Sequence, residues 1–462
     1  MVKYEIPRSS ASADEWVRYC TQDTEILYNV VRALMAFVSS ERLGNWQPTG
    51  AGMAMATWRH RFMEHKVLVH DDGDALAAER SAMHTGRAEA WRHGKIHGEQ
   101  WTEIDLRNAY VTIAATAELP RKLHMRTGAL DHRQYTDLHS RFAVLARCEI
   151  HTDVEATPHR ADGRHSWPVG KFETWIWDTE IDDAIRSGAE VRILETFVYV
   201  RDFILRDWAR WTLAILGDTS GTVPAVVRTH VKHGARAFIG RLSLRTPTWE
   251  YFGCNVDGHV GITHVWLSSE RRSTRFLHVG DDTLIETSRE EGKDSLPMIT
   301  GYIMSKCRSM IWEAMNVAGL DNLAHVDTDS VLCNRTGLDR MRVHYGDRFQ
   351  GMWSVKGTYS ALEVLGPRQY WRDKQRVTSG IPLKAAEQAN GTYTAERWSS
   401  LAADLEHGSA GSVTLTPGTW RLKRGDPRRG DSPGAVGRTV PYVAGAGSAA
   451  NGSSELSCNA GS

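Results

Sequence analysis

Residues 322–333 read NLAHVDTDSVLC, two apolar runs separated by Asp327-Thr328-Asp329. Leu323, Val326, Val331 and Leu332 predict a hairpin with buried strands. Burial then presses two carboxylates together at its tip, where they repel unless a cation or a basic group compensates. A pair of hard divalent ions satisfies them and suits phosphoryl transfer, one ion activating the attacking oxygen and the other holding the leaving phosphate. A plain hydrophilic turn is the competing reading of the local pattern.

A third carboxylate shifts that balance. Residues 100–116 (QWTEIDLRNAYVTIAAT) predict a strand, a turn and an apolar segment, with Asp105 at the strand end. Two protein carboxylates plus substrate phosphates commonly make a magnesium site, so Asp105 with Asp329 would suffice as the bridging pair, Asp327 lying nearby. The helix expected over 224–241 places Arg228, Lys232 and Arg236 four residues apart on one face, against Val227, Val231, Gly234 and Phe238 on the other. An anionic partner, a triphosphate or a nucleic-acid backbone, explains such a stack of like charges; solvated surface charge is the plainer account. His278-Val-Gly-Asp281-Asp282 carries a second acidic pair, read as an ordinary turn because no leading helix precedes it.

The rest of the chain sets the frame. Its 462 residues suggest two to four domains. Apolar residues at 41% and charged residues at 24% exclude a wholly disordered or fibrous chain. The 56 Lys and Arg balance 56 Asp and Glu, so any nucleic-acid surface must be a local groove. Six cysteines, none closely paired, argue against a disulfide scaffold or zinc ribbon. No run nears the roughly 18 apolar residues that a membrane span requires, and the opening MVKYEIPRSS has no secretion-signal pattern. Helices are expected over about 14–40, 201–216 and 299–320, strands over 171–177 and 190–200, a loop over 153–168, a β-rich stretch over 243–290, and a disordered Gly/Ser-rich tail beyond about 425.

In this order and spacing the pieces resemble the family B DNA polymerases, specifically the protein-primed branch of phages and linear plasmids. His325-Val-Asp327-Thr-Asp329-Ser330 is similar to the family's Tyr-x-Asp-Thr-Asp-Ser motif, with His for Tyr. Asp105-Leu-Arg-Asn108-Ala-Tyr110-Val111 resembles Asp-x-x-Ser-Leu-Tyr-Pro, with Asn108 and Val111 replacing serine and proline. Lys232-x-x-x-Arg236-Ala237-Phe238-Ile239-Gly240 keeps the lysine and glycine of Lys-x-x-x-Asn-Ser-x-Tyr-Gly and replaces asparagine, serine and tyrosine. Arg368-Gln-Tyr370 resembles Lys-x-Tyr, and Ala90-Trp91-Arg92-His93-Gly94 stands where the family links its exonuclease and polymerase portions. Tyr19-Cys-Thr-Gln-Asp23 resembles the last exonuclease motif, with only 18 residues before it.

The resemblance, over roughly residues 15–390, implies an α+β right-hand polymerase with palm, fingers and thumb, an antiparallel palm sheet and two insertions. Its implied divisions are an exonuclease remnant (1–40), a linker region to the palm (41–98), palm with a first, terminal-protein-contacting insertion (99–223), fingers (224–242), a β-rich second insertion (243–298), palm (299–365), thumb (366–425) and tail (426–462). It implies two Mg²⁺ ions, or Mn²⁺, held by Asp105, Asp327, Asp329 and the backbone of Leu106. Catalysis would fall to the three aspartates and Lys232. Nucleotide binding would use Leu106, Tyr110, Arg228, Lys232 and Arg236, and DNA binding Arg368, Tyr370, Trp91 and Gly94. Implied partners are primed DNA, dNTPs, a terminal protein and a separate exonuclease-bearing chain, with no membrane and a cytoplasmic setting in a prokaryotic or phage-infected cell. Exonuclease activity is not expected, because one carboxylate and one tyrosine cannot hold its metals. Three other classes compete: a catalytically weak or split remnant that binds DNA or terminal protein, a nuclease using the same aspartates with water as nucleophile, and a non-enzymatic structural protein that leaves the carboxylates far apart.

Overall fold

The computed structural model describes residues 12–444 apart from 65, 162–163, 257–260, 268–271, 390, 399–414, 423–424, 427–428 and 432–438. The chain opens on a long helix, α1 (Ala13–Ser40), started by a capping box in which Ser12 and Glu15 satisfy each other's backbone amides. Helix α2 (Gly50–Thr57) follows and packs on α3 (Ala225–Arg241). Their contact is close enough that a Cβ on Gly234 would sit 2.9 Å from the Gly50 carbonyl oxygen, so both backbones depend on glycine there. The apolar face expected on α3 is the buried one: Val227, Gly234, Ala235 and Phe238 point inward, Phe238 against Trp58 and Trp208.

A five-stranded antiparallel sheet lies at the centre. In chain order its strands are β1 (Ala88–Ala90), β2 (Trp101–Leu106), β3 (Leu323–Asp327), β4 (Ser330–Asn334) and β5 (Trp353–Tyr359), and in space they run β1-β3-β4-β2-β5. The hairpin β3–β4 therefore pairs directly with the strand that carries Asp105. The largest core cluster packs against this sheet, and α4 (Pro297–Ala318) contributes Ile299, Tyr302, Ile303, Cys307 and Ile311 to it. In the helix expected over 299–320, apolar residues recurring every three or four positions make this buried face.

Four smaller assemblies surround the centre. One five-stranded sheet is built mainly from 119–127, 143–152, 169–177 and 190–202. A four-stranded antiparallel sheet covers 245–291, matching the β-rich stretch expected there. Strands 94–96, 362–366, 369–372 and 375–378 form a third, and 386–387, 392–398 and 415–421 a fourth. The loop expected over 153–168 instead holds a short hairpin, His159–Ala161 with Arg164–Ser166.

The disordered tail expected over 426–462 is corrected in its described part. Asp426 accepts a hydrogen bond from the Ala90 amide, and buried Arg429 pairs with Glu155 and Glu89 while its guanidinium lies 3.9 Å from the Trp91 ring. Val443–Ala444 adds a parallel strand edge to Val169–Gly170. Gly/Ser-rich composition hid this docking, because one buried arginine and two backbone pairings anchor the segment without an apolar run. Positions 445–462 lie outside the described residues.

Candidate active site

Asp105 stands near the end of β2, directly across from Ser330 on β4 and Ser354 on β5. Leu106 donates its amide to the carbonyl oxygen of Asp329 at 2.7 Å, which locks the hairpin tip to the strand end. The tip itself is strained: Thr328 has φ +58°, a left-handed conformation that a β-branched residue rarely adopts. Its amide donates to the Arg87 carbonyl at 2.6 Å, and Gly86 lies so close that a Cβ would come 2.7 Å from the threonine methyl. Gly86 is held in turn by Arg308 of α4, which bonds the His84 and Thr85 carbonyls and pairs with Glu180 at 2.7 Å in the interior.

The acidic groups of the site have individual basic partners, with one exception. Lys356 Nζ lies 2.5 Å from Asp105 Oδ2, Arg368 Nε lies 2.8 Å from Asp327 Oδ1, and Arg372 pairs with Glu103. Among the described residues Asp329 forms no ion pair. Burial, and then the neighbouring Asp105 carboxylate, push its carboxyl up to about 6, while Arg236 pulls the other way. Asp105 Oδ1 is buried with no hydrogen-bond partner. Two carboxylates in mutual repulsion, one with an orphaned oxygen, fit a hard divalent cation. Among the described residues no three His, Cys, Asp or Glu side chains come close enough to hold one metal ion by themselves, so substrate or solvent oxygens would have to complete its coordination.

These groups line a cleft of about 430 Å³ with Glu103, Asn108, Tyr110, Lys232, Asp327, Asp329, Arg236 and Arg368 on its walls. It adjoins a second cleft of about 370 Å³ bordered by Arg107, Arg228, Lys232, Arg236 and Lys356. Helix α3 thus presents Lys232 and Arg236 to both, opposite the aspartates. Arg228 borders only the second, and its guanidinium is engaged by the Asp218 and Val223 carbonyls. Tyr110 is half-buried in the first turn of helix Ala109–Thr116, and burial raises its phenol far above the ordinary range.

Two residues expected to touch DNA do not lie on a free surface. Trp91 is only 2% exposed, with Arg87 and Arg429 against its ring, so its place is a packing role. Tyr370 is buried, its ring 4.8 Å from that of His325. Gly94 is exposed at φ +86°, where it opens an edge strand. Arg368 sits at a turn with φ +58° and does reach the site. Its amide donates to His325 Nε2 at 2.9 Å and its guanidinium also bonds the Thr328 hydroxyl. Burial pushes His325 down to about 4, which keeps the imidazole neutral and able to accept that bond. His325 is therefore a fastening point between the hairpin and the Arg368 turn.

Sequence reasoning missed Lys356, Gly86 and Arg308. A lysine within a strand has no local signature, and the other two act through residues more than two hundred positions away. The Asp281–Asp282 pair lies exposed at a Gly280 turn in the outer four-stranded sheet.

No family model matches the sequence, and no curated protein matches it. Solved structures do. Phi29 DNA polymerase complexed with primer-template DNA and incoming nucleotide substrates superposes with a TM-score of 0.65 at 12% identity, covering 92% of this chain and 76% of that one. Its post-translocation binary complex with primer-template DNA gives 0.62, with 91% and 74% covered, again at 12% identity. The orthorhombic crystal form gives 0.63 over 91% and 75%. The fold is that of a right-hand DNA polymerase. The antiparallel central sheet is its palm, as the sequence reading expected, and no helix among the described residues is long and apolar enough to cross a membrane.

Proposed function

We propose that the chain is a DNA-templated DNA polymerase that adds dNTPs to a primer 3′-hydroxyl. The observation that carries this reading is one cleft in a polymerase fold where Asp105 and Asp329 face Lys232 and Arg236, with Tyr110 and Arg368 beside them. Opposed carboxylates and cations are what phosphoryl transfer needs, since the reaction is largely positioning and charge compensation.

Asp105 and Asp329, with the Leu106 carbonyl and Asp327 nearby, would hold two Mg²⁺ or Mn²⁺ ions, which when bound supply charge neutralisation and a more acidic primer hydroxyl. The chain's own groups do the remainder. Lys232 and Arg236 bind the triphosphate and offset charge as the bond to pyrophosphate breaks. Tyr110 lies under the deoxyribose and excludes a 2′-hydroxyl. Arg368 draws primer phosphates to the Asp327–Asp329 tip, with Tyr370 supporting it through His325. Recognition is by phosphate contacts, with sequence left to template pairing.

On this reading helix α3 belongs to the fingers, the sheets after residue 366 to the thumb, and the sheets at 119–202 and 245–291 to the two insertions. Membership of the protein-primed branch, with the first insertion meeting a terminal protein and a separate chain supplying exonuclease, completes the proposal. The test is single-nucleotide incorporation on primed DNA by wild type and Asp105→Asn. Incorporation that the substitution abolishes supports the reading. DNA binding without incorporation by either protein would favour a non-catalytic subunit.

A further inference from the structure

The pairing of β5 with β2 is interrupted once. Val355 lies across from Ile104 and Gly357 across from Glu103, so Lys356 is an extra residue in the ladder. A bulge of this kind re-aims a side chain, and here it brings Lys356 to Asp105, with Nζ 2.5 Å from Oδ2. The same ammonium borders the second cleft, where Arg107, Arg228, Lys232 and Arg236 also converge. Five cations, from β5, α3 and the turn after β2, surround that space, and among the described residues Asp105 is the only acid on its wall.

We propose that Lys356 is a transferable counter-ion. It pairs with Asp105 until a polyphosphate enters the second cleft, then turns to the phosphates and leaves Asp105 to a divalent cation. The inference rests on Asp105 being a metal ligand, as set out above, and adds an order to binding: polyphosphate opens the metal site. Three properties make the exchange feasible. The pair is nearly half exposed on its lysine side, so water screens it and leaves it weak. The lysine stem is long and flexible, and its ammonium needs no fixed geometry. An ammonium on Oδ2 and a divalent ion on the same carboxylate lie within a few ångströms of each other, so their charges repel and each weakens the other's hold on Asp105.

The test is Mn²⁺ titration of the full chain by electron paramagnetic resonance, without DNA or nucleotide, together with calorimetric titration of inorganic tripolyphosphate in metal-free buffer. Lys356→Met should bind Mn²⁺ about twofold to fivefold more tightly than wild type and tripolyphosphate several-fold more weakly. Lys356→Arg, which keeps the charge and guards against a mere packing effect, should stay near wild type in both. Unchanged or weaker Mn²⁺ binding by Lys356→Met overturns the proposal. Asp105→Asn separates the two levels. If it removes Mn²⁺ binding while Lys356→Met changes nothing, only the counter-ion role fails; if it leaves Mn²⁺ binding intact, the metal reading of Asp105 fails as well.

Discussion

Two hairpins in this chain carry acidic tips, and they differ in everything except their local sequence character. Asp281 and Asp282 are exposed at a glycine turn on an outer sheet, where water solvates each carboxylate at little cost. Asp327 and Asp329 end a hairpin whose strands are buried and whose neighbour β2 brings a third carboxylate alongside. Enclosure makes charge costly: Asp329 is pushed up to about 6 by burial and by Asp105, while Arg368 offsets Asp327. An acidic pair is thus a site only when tertiary structure denies it water and supplies its counter-charges.

Breaking the enclosed tip should have the larger consequences. Arg368→Ala removes the guanidinium shared by Asp327 and Thr328 and is expected to lower incorporation about a hundredfold, read from single-turnover rates, with partial rescue by Arg368→Lys. The pH profile comes next. Asp329 must be ionised to hold a cation, so at subsaturating Mg²⁺ incorporation should fall by about tenfold per unit as pH drops below about 6.

Stability should move the opposite way. The folded carboxyl of Asp329 titrates above its ordinary 3.8, so the folded state holds the proton more tightly than the unfolded one. Metal-free stability is therefore greatest at low pH for this group and is lost as pH rises from about 4 through about 6. Asp329→Asn should then raise metal-free stability at pH 7 by about 1–3 kcal/mol, measured by denaturant melts in EDTA. Asp282→Asn, on the exposed hairpin, should change stability by less than about 0.5 kcal/mol at any pH.

Much of this was legible in the sequence where the pattern is local. The helices at 13–40, 225–241 and 297–318 and the strands around Asp105 and Asp327 follow from apolar spacing, and each begins or ends within two residues of its expected bound. The convergence of Asp105, Asp329, Lys232 and Arg236 on one cleft was readable through motif order. What escaped depends on partners distant along the chain. Trp91 reads as a DNA-binding residue until Arg429, more than three hundred residues later, is found against its ring. Lys356 reaches Asp105 only because a single extra residue breaks the ladder, and no periodicity announces a bulge. Thr328 tolerates its left-handed backbone because Gly86 and the Arg87 carbonyl receive it, a fit that only the folded interior displays.

The central claim is that the enclosed acidic tip, and not the exposed one, carries nucleotide transfer. Primer extension on a short primed DNA with Mg²⁺ and dNTPs, comparing wild type, Asp329→Asn and Asp282→Asn, tests it most directly. The account predicts extension by wild type and by Asp282→Asn at similar rates, with a loss of at least about a hundredfold for Asp329→Asn. Extension by Asp329→Asn at the wild-type rate would contradict it.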